Sequence, residues 1–208
     1  MTKPDQTVIV VDDDPSLRQS IDSLLRSVGY AVQSYTSAGE LLRAEQPPRP
    51  ACLILDVRLP EISGLQFQSE MANSGINLPV VFITGHGDVA MSVAAMKAGA
   101  IEFLTKPFRD QDLLDAVHLA IERDKARHAE ELSLREMRDR FQSLSPREFE
   151  VLDRVVAGQM NKQVAGALGL SEVTIKAHRA SVMAKLGATS LPDLVRMADL
   201  HARTTRHR

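Results

Sequence analysis

Three short stretches of the chain run apolar almost without interruption: TVIVV at 7–11, ACLILDV at 51–57 and PVVFIT at 79–84. A strand with one wet face alternates apolar and polar residues, whereas an unbroken run suits a parallel strand covered on both faces. Weaker strands fit AVQSYT at 31–36 and AIEFLT at 100–105. Helical patterns lie between them. SLRQSIDSLLRSVG sets Leu17, Ile21, Leu24, Leu25 and Val28 on one stripe, with Gly29 as its stop. DVAMSVAAMKAGA predicts Val89, Val93 and Met96 facing inward, with Gly99 as the stop. Repeated strand–helix units of this size imply an α/β fold, a doubly wound five-stranded parallel sheet.

In such sheets ligands bind beyond the carboxyl ends of the strands. The residues at those ends are Asp12 and Asp13, Asp56, Thr84 and Lys106. Three carboxylates, a hydroxyl and an ammonium are the parts for holding a divalent cation and a phosphoryl group. A carboxylate not needed for the metal can attack phosphorus and form an aspartyl phosphate. The neighbouring Asp14 precedes Pro15 and fits a helix cap instead.

Charge separates the chain into regions. Residues 1–108 hold 8 Lys and Arg against 12 Asp and Glu, and residues 144–208 hold 10 against 6. An acidic front and a basic back suggest two tasks, the second near a polyanion. The single cysteine, Cys52, lies in an apolar run and reads as a buried, inert thiol. No apolar signal core or membrane-length run is visible, so the expected location is cytoplasmic, with no membrane partner.

Neither Gly nor Pro occurs from Phe108 to Gln142, which predicts one long helix. Leu114, Val117 and Ile121 fit packing on the sheet. The later stripe of Leu134, Met137, Phe141 and Leu144 is out of phase with them, against one continuous coiled coil. In SLSPREFEVL, Ser145 is the cap, Pro146 the first helical residue and Glu148 the partner in a capping box. NKQVAGALGLSEVTIKAHRASVMAKLG then reads as helix, short turn, helix. Val164, Ala165 and Leu168 face inward on the first, and Val173, Val182 and Leu186 on the second. The second helix carries Thr174, Lys176, His178, Arg179 and Lys185, donors suited to phosphates and base edges. A helical hairpin of purely structural use has the same composition.

On VVDDD, LDVRLPEISG, ITGHG and FLTKPF, residues 7–121 resemble the receiver domain of two-component response regulators, a CheY-like fold. The resemblance implies that Asp56 accepts a phosphoryl group from a sensor histidine kinase. Asp13, Asp56 and the backbone carbonyl of Arg58 would coordinate Mg2+, with Asp12 acting mainly through water. Lys106 would pair with the phosphoryl oxygens, Thr84 would bind one of them on activation, and Phe103 would be the switch aromatic. The Lys106–Pro107 bond is often cis in that family.

A competing resemblance is to the haloacid-dehalogenase-like phosphatases. It fits VIVVDDDPS with Asp12 as nucleophile, but lacks a further acidic strand after Lys106 and leaves Asp56 without a role. The last third is similar to the DNA-binding domain of LuxR-type regulators, so nearly the whole chain resembles a FixJ-type response regulator. This implies that Lys176, Ala177 and Ala180 face base edges, while Asn161, Lys162, Thr174, Arg179 and Lys185 meet phosphates. The expected organisation is a receiver at 1–121, a helical linker at 122–143 and an all-α helix-turn-helix domain at 144–208. The implied function is a phosphorylation-controlled, homodimeric transcription factor on double-stranded DNA, not an enzyme. A receiver-only signalling module without DNA affinity is the remaining alternative. The terminal RTTRHR is expected to be a solvated basic tail.

Overall fold

The computed structural model describes residues 6–60, 62–86 and 89–206. The chain divides into two compact units, Met1–Ala129 and Glu130–Arg208. In the first, β1 (Thr7–Val11), α1 (Pro15–Ser27), β2 (Ala31–Tyr35), α2 (Ala38–Arg43), β3 (Ala51–Asp56), α3 (Gly64–Asn73), β4 (Val80–Thr84), α4 (Val89–Lys97) and β5 (Glu102–Thr105) alternate. The long helix α5 (Asp110–Gln142) follows. The strands form one parallel sheet in the order β2-β1-β3-β4-β5. The order reverses direction at β1, which puts a crevice beyond the carboxyl ends of β1 and β3.

Alternate residues of the buried runs serve the two faces. Val8, Val10, Cys52, Ile54, Val81 and Ile83 pack with Ile21, Leu25, Leu113, Val117 and Ile121 of α1 and α5. Ile9, Val11, Leu53, Leu55 and Phe82 pack with Leu41, Phe67, Met71 and Ala95 of α2, α3 and α4. Cys52 is fully buried, and that burial pushes its thiol pKa up, as an inert core residue requires.

Two expected inward faces are corrected. Val28 lies past the end of α1 and is exposed. On α4, Val89, Val93 and Met96 are exposed, at 80%, 45% and 46% of their surface. Ala95 is the buried position, with Met91 packed beside it. This helix is apolar on nearly every side, so periodicity alone could not select its buried face.

An acid outside the apolar stripes anchors α5. Asp124 is fully buried and accepts from Arg49 Nη2 at 2.8 Å, Arg127 Nη2 at 2.7 Å and the Ala51 N–H at 2.9 Å. Burial acts to raise its pKa, but these hydrogen bonds outweigh it and hold the carboxyl below the ordinary range. It ties α5 to the start of β3.

The second unit contains α6 (Pro146–Val156), α7 (Asn161–Leu168), α8 (Glu172–Leu186) and α9 (Leu191–Arg206). The division between units falls within α5. The segment expected as a linker is therefore shared, since Asp124 is buried in the first unit while Met137 and Phe141 join the core of the second. That core contains Val151, Leu152, Val155, Val164, Ile175, Val182, Leu186 and Leu194. Ile175 takes the inward place expected of Val173, which is 76% exposed. Leu191 and Leu200 of α9 are exposed. Residues 203–206 of the expected tail are the last turn of α9, and His207 and Arg208 lie outside the described residues.

Asp124→Ala removes the carboxylate that gathers two guanidiniums and a backbone N–H. It should destabilise the first unit by about 3 kcal/mol, the usual order for deleting one member of a buried ion pair. Urea unfolding followed by Tyr30 and Tyr35 fluorescence would measure this, and an unchanged midpoint would show that the anchor is dispensable.

Candidate functional site: an acidic rim and a helix-turn-helix

Asp12 ends the run from β1, Asp56 is the last residue of β3, and both are buried. Asp13 follows Asp12 and is exposed. One ligand oxygen from each of these acids can be chosen so that all lie within 4.8 Å of one another. Lys106, just beyond β5, reaches between two of them: its Nζ donates to Asp12 Oδ2 at 2.6 Å and to Asp56 Oδ2 at 2.7 Å. Its backbone N–H donates to the Thr84 carbonyl at 2.8 Å, which fixes the end of β5 beside that of β4. The Lys106–Pro107 peptide is cis.

Loop geometry arranges the rest. The Arg58 N–H donates to Asp56 Oδ1 at 3.0 Å, placing the Arg58 backbone on the turn directly after β3. Gly64 lies under this turn, where a Cβ would stand 2.5 Å from the Asp56 carbonyl oxygen. Thr84 is fully buried, and its hydroxyl accepts from the His86 N–H at 3.3 Å. Phe103 is half-buried on β5, its ring tilted against Phe82 with centroids 6.5 Å apart. Asp14 takes a different role. It caps α1 by accepting from Ser16 and Leu17 N–H groups, while its own N–H donates to Asp12 Oδ1 at 2.8 Å.

Burial raises the Asp12 carboxyl above the ordinary range, against the lowering effect of bonds from Lys106 and Asp14. Burial alone would lower Lys106, but its bonds to Asp12 and Asp56 hold it above the usual lysine value. Three carboxylates around one ammonium leave an excess of negative charge, and oxygen donors of this kind suit Mg2+. Arg18 was missed by sequence reasoning. Its Nη1 donates to the Asp12 carbonyl at 2.6 Å, which steadies the turn carrying Asp12 and Asp13. The signal was its place one turn past the Asp14 cap.

In the second unit Gly169, at φ 65°, ends α7, and the Ser171 side chain caps α8 by accepting from the Thr174 N–H. Lys162, Lys176, Ala177 and Ala180 are exposed, and Asn161, Thr174 and Arg179 are half-buried. Arg179 Nη1 donates to Asn161 Oδ1 at 2.5 Å, so this pair joins α8 to α7. Lys185 departs from expectation. Its Nζ donates to Glu148 Oε2 at 2.7 Å and to the Ser143 carbonyl at 3.1 Å, an attachment between helices instead of a free phosphate donor. Glu148 also completes the expected capping box with Ser145 and accepts from Ser181 Oγ at 2.5 Å.

Residues 8–118 match the response regulator receiver domain, and residues 142–198 match the bacterial regulatory proteins of the luxR family. The chain belongs to the FixJ-type response regulators. Nodulation protein W of Bradyrhizobium diazoefficiens is 52% identical over 192 residues, covering 92% of this chain and 85% of that protein. Transcriptional regulatory protein FixJ of Rhizobium meliloti is 44% identical, covering 93% and 95%. The low-resolution structure of the response regulator StyR aligns with a TM-score of 0.86 at 44% identity, covering 94% of this chain and 98% of that one. This response regulator therefore joins a regulatory receiver to a LuxR-type helix-turn-helix domain for DNA. Among its described residues, no helix is long and apolar enough to cross a membrane.

Glu148 supplies a pH test. The bond from Lys185, then those from Ser181 and the Ser145 N–H, lower its pKa from 4.5 to about 2. A depressed carboxyl stabilises the fold fully above its unfolded value, so this contribution should fade as the pH falls from 4.5 toward 2. Glu148→Gln should therefore lower the melting temperature at pH 7, with a gap to wild type that narrows across that acid window. Thermal melts by circular dichroism would show it, and a gap independent of pH would contradict the assignment.

Proposed function

We propose that this response regulator is phosphorylated on Asp56 by a sensor histidine kinase in the cytoplasm, and that phosphorylation promotes dimerisation and sequence-specific binding to double-stranded DNA. The observation that carries the reading is Lys106 Nζ held between Asp12 and Asp56, at 2.6 and 2.7 Å, on a rim shared with Asp13. Asp56, the last residue of β3, has one oxygen on Lys106 and the other on the Arg58 N–H.

In the transfer, an Asp56 oxygen attacks the phosphorus of a phosphohistidine, the P–N bond breaks, and the imidazole leaves with the electron pair. Asp13, Asp56 and the Arg58 carbonyl would hold Mg2+, with Asp12 acting through water. When bound, the cation neutralises the acids and shields the phosphoryl oxygens. Lys106 pairs with one phosphoryl oxygen, and Thr84 turns its hydroxyl to another. Thr84 moving inward leaves room that Phe103 follows into, reshaping the face of α4 and β5. The exposed Val89, Val93 and Met96 on that face give it apolar area to bury between two copies.

The proposed organisation is a receiver at 1–121, a connecting segment at 122–143 and a DNA-binding domain at 144–208. A dimer presents two copies of α8 to a two-fold DNA site. Lys176, Ala177 and Ala180 face the bases, while Asn161, Lys162, Thr174 and Arg179 lie along the phosphates. Lys185 belongs to the same helix but acts as its brace through Glu148. The receiver's chemistry is a single self-modification, not turnover of a free substrate.

Acetyl phosphate with Mg2+, followed by borohydride trapping and peptide mapping, tests the acceptor. Label on Asp56, lost in Asp56→Asn, is the expected result. Label on Asp12 would overturn the assignment and favour phosphatase chemistry.

A further inference from the structure

Five residues of α8 are exposed at the helical spacing of 3 and 4: Val173, Lys176, Ala177, Ala180 and Ala184. Four of them are apolar, and Lys176 alone among the five carries a hydrogen-bond donor. Val173 stands in the first turn of the helix and is 76% exposed, beside the capped amino end. The amino-terminal residues of a recognition helix are those that reach the base edges. An apolar side chain left in water there gains when a nonpolar partner covers it.

The other cations of this helix are less free to read bases. Arg179 Nη1 is held on Asn161, and Lys185 is held on Glu148 and the Ser143 carbonyl. Hydrogen-bond donation from this face thus rests on Lys176. The floor of the major groove offers one apolar group, the 5-methyl of thymine.

We infer that Val173 is a base-reading residue, and that with Ala177 and Ala180 it selects thymine through the 5-methyl group, while Lys176 supplies the donor to a guanine or thymine acceptor. The inference rests on the proposed entry of α8 into the major groove and names what it reads there. The target is then a half-site recognised chiefly by thymine methyls, with a donated hydrogen bond at the base opposite Lys176.

The test uses the full-length chain treated with acetyl phosphate and Mg2+. Binding sites are selected from a random-sequence duplex library, and each thymine of the selected site is replaced by deoxyuridine, which removes only the methyl group. At one or more positions in each half-site, uracil should weaken wild-type binding about three- to fivefold, the scale of one buried methyl group. Val173→Ser should bind the thymine and uracil duplexes equally at one of those positions. Lys162→Ala should lower affinity for every duplex while keeping the thymine-to-uracil ratio. The exposure of Val173 leaves the fold intact in the serine variant, which a circular dichroism spectrum checks.

A selected site at which uracil changes nothing, or a thymine preference undiminished in Val173→Ser, would overturn the inference while leaving the DNA-binding reading in place. Failure to select any sequence would overturn both.

Discussion

Two carboxylates at the ends of adjacent parallel strands repel each other, and a third beside them adds to the cost. Lys106 Nζ, 2.6 Å from Asp12 and 2.7 Å from Asp56, is the internal answer to that problem. The answer depends on the whole sheet. β1 and β3 must be neighbours to bring the acids together, and β5 must end level with β4 to deliver the lysine from the far side. One ammonium does not balance three carboxylates. The remaining negative charge favours a divalent cation and, through it, the anionic phosphoryl group that the acids alone would repel. Core packing, loop geometry and ligand chemistry thus meet at one side chain.

The second unit repeats this use of a buried acid on a smaller scale. Glu148 receives Lys185, Ser181 and the Ser145 N–H, joining the start of α6 to the later turns of α8. Arg179 and Asn161 join α7 to α8 nearer its start. Polar side chains on α8 therefore divide into those that set its position and those left exposed. Net charge cannot make that division, because Lys185 and Lys176 count alike in composition.

The sheet and the acidic rim were legible in the sequence because each follows from strong local rules. Unbroken apolar runs required strands buried on both faces, and topology then put Asp12, Asp56, Thr84 and Lys106 at one edge. Helix caps were equally readable: Asp14 and Ser145 both cap as expected. Helix faces were less so. α4 is apolar nearly all round, so Val89, Val93 and Met96 looked like core although Ala95 fills that place. On α8 the choice between Val173 and Ile175 turned on two similar side chains two residues apart. The Asp124 anchor depends on Arg49, distant in sequence, and no local pattern announces such a pair.

If chemistry at Asp56 governs the helix-turn-helix, DNA affinity of the full-length chain must depend on it. Fluorescence anisotropy with and without acetyl phosphate and Mg2+, for wild type and for Asp56→Asn, measures this. Wild type should bind more tightly when the phosphodonor is present, and the variant should not respond. A variant that responds to the donor as wild type does would contradict it.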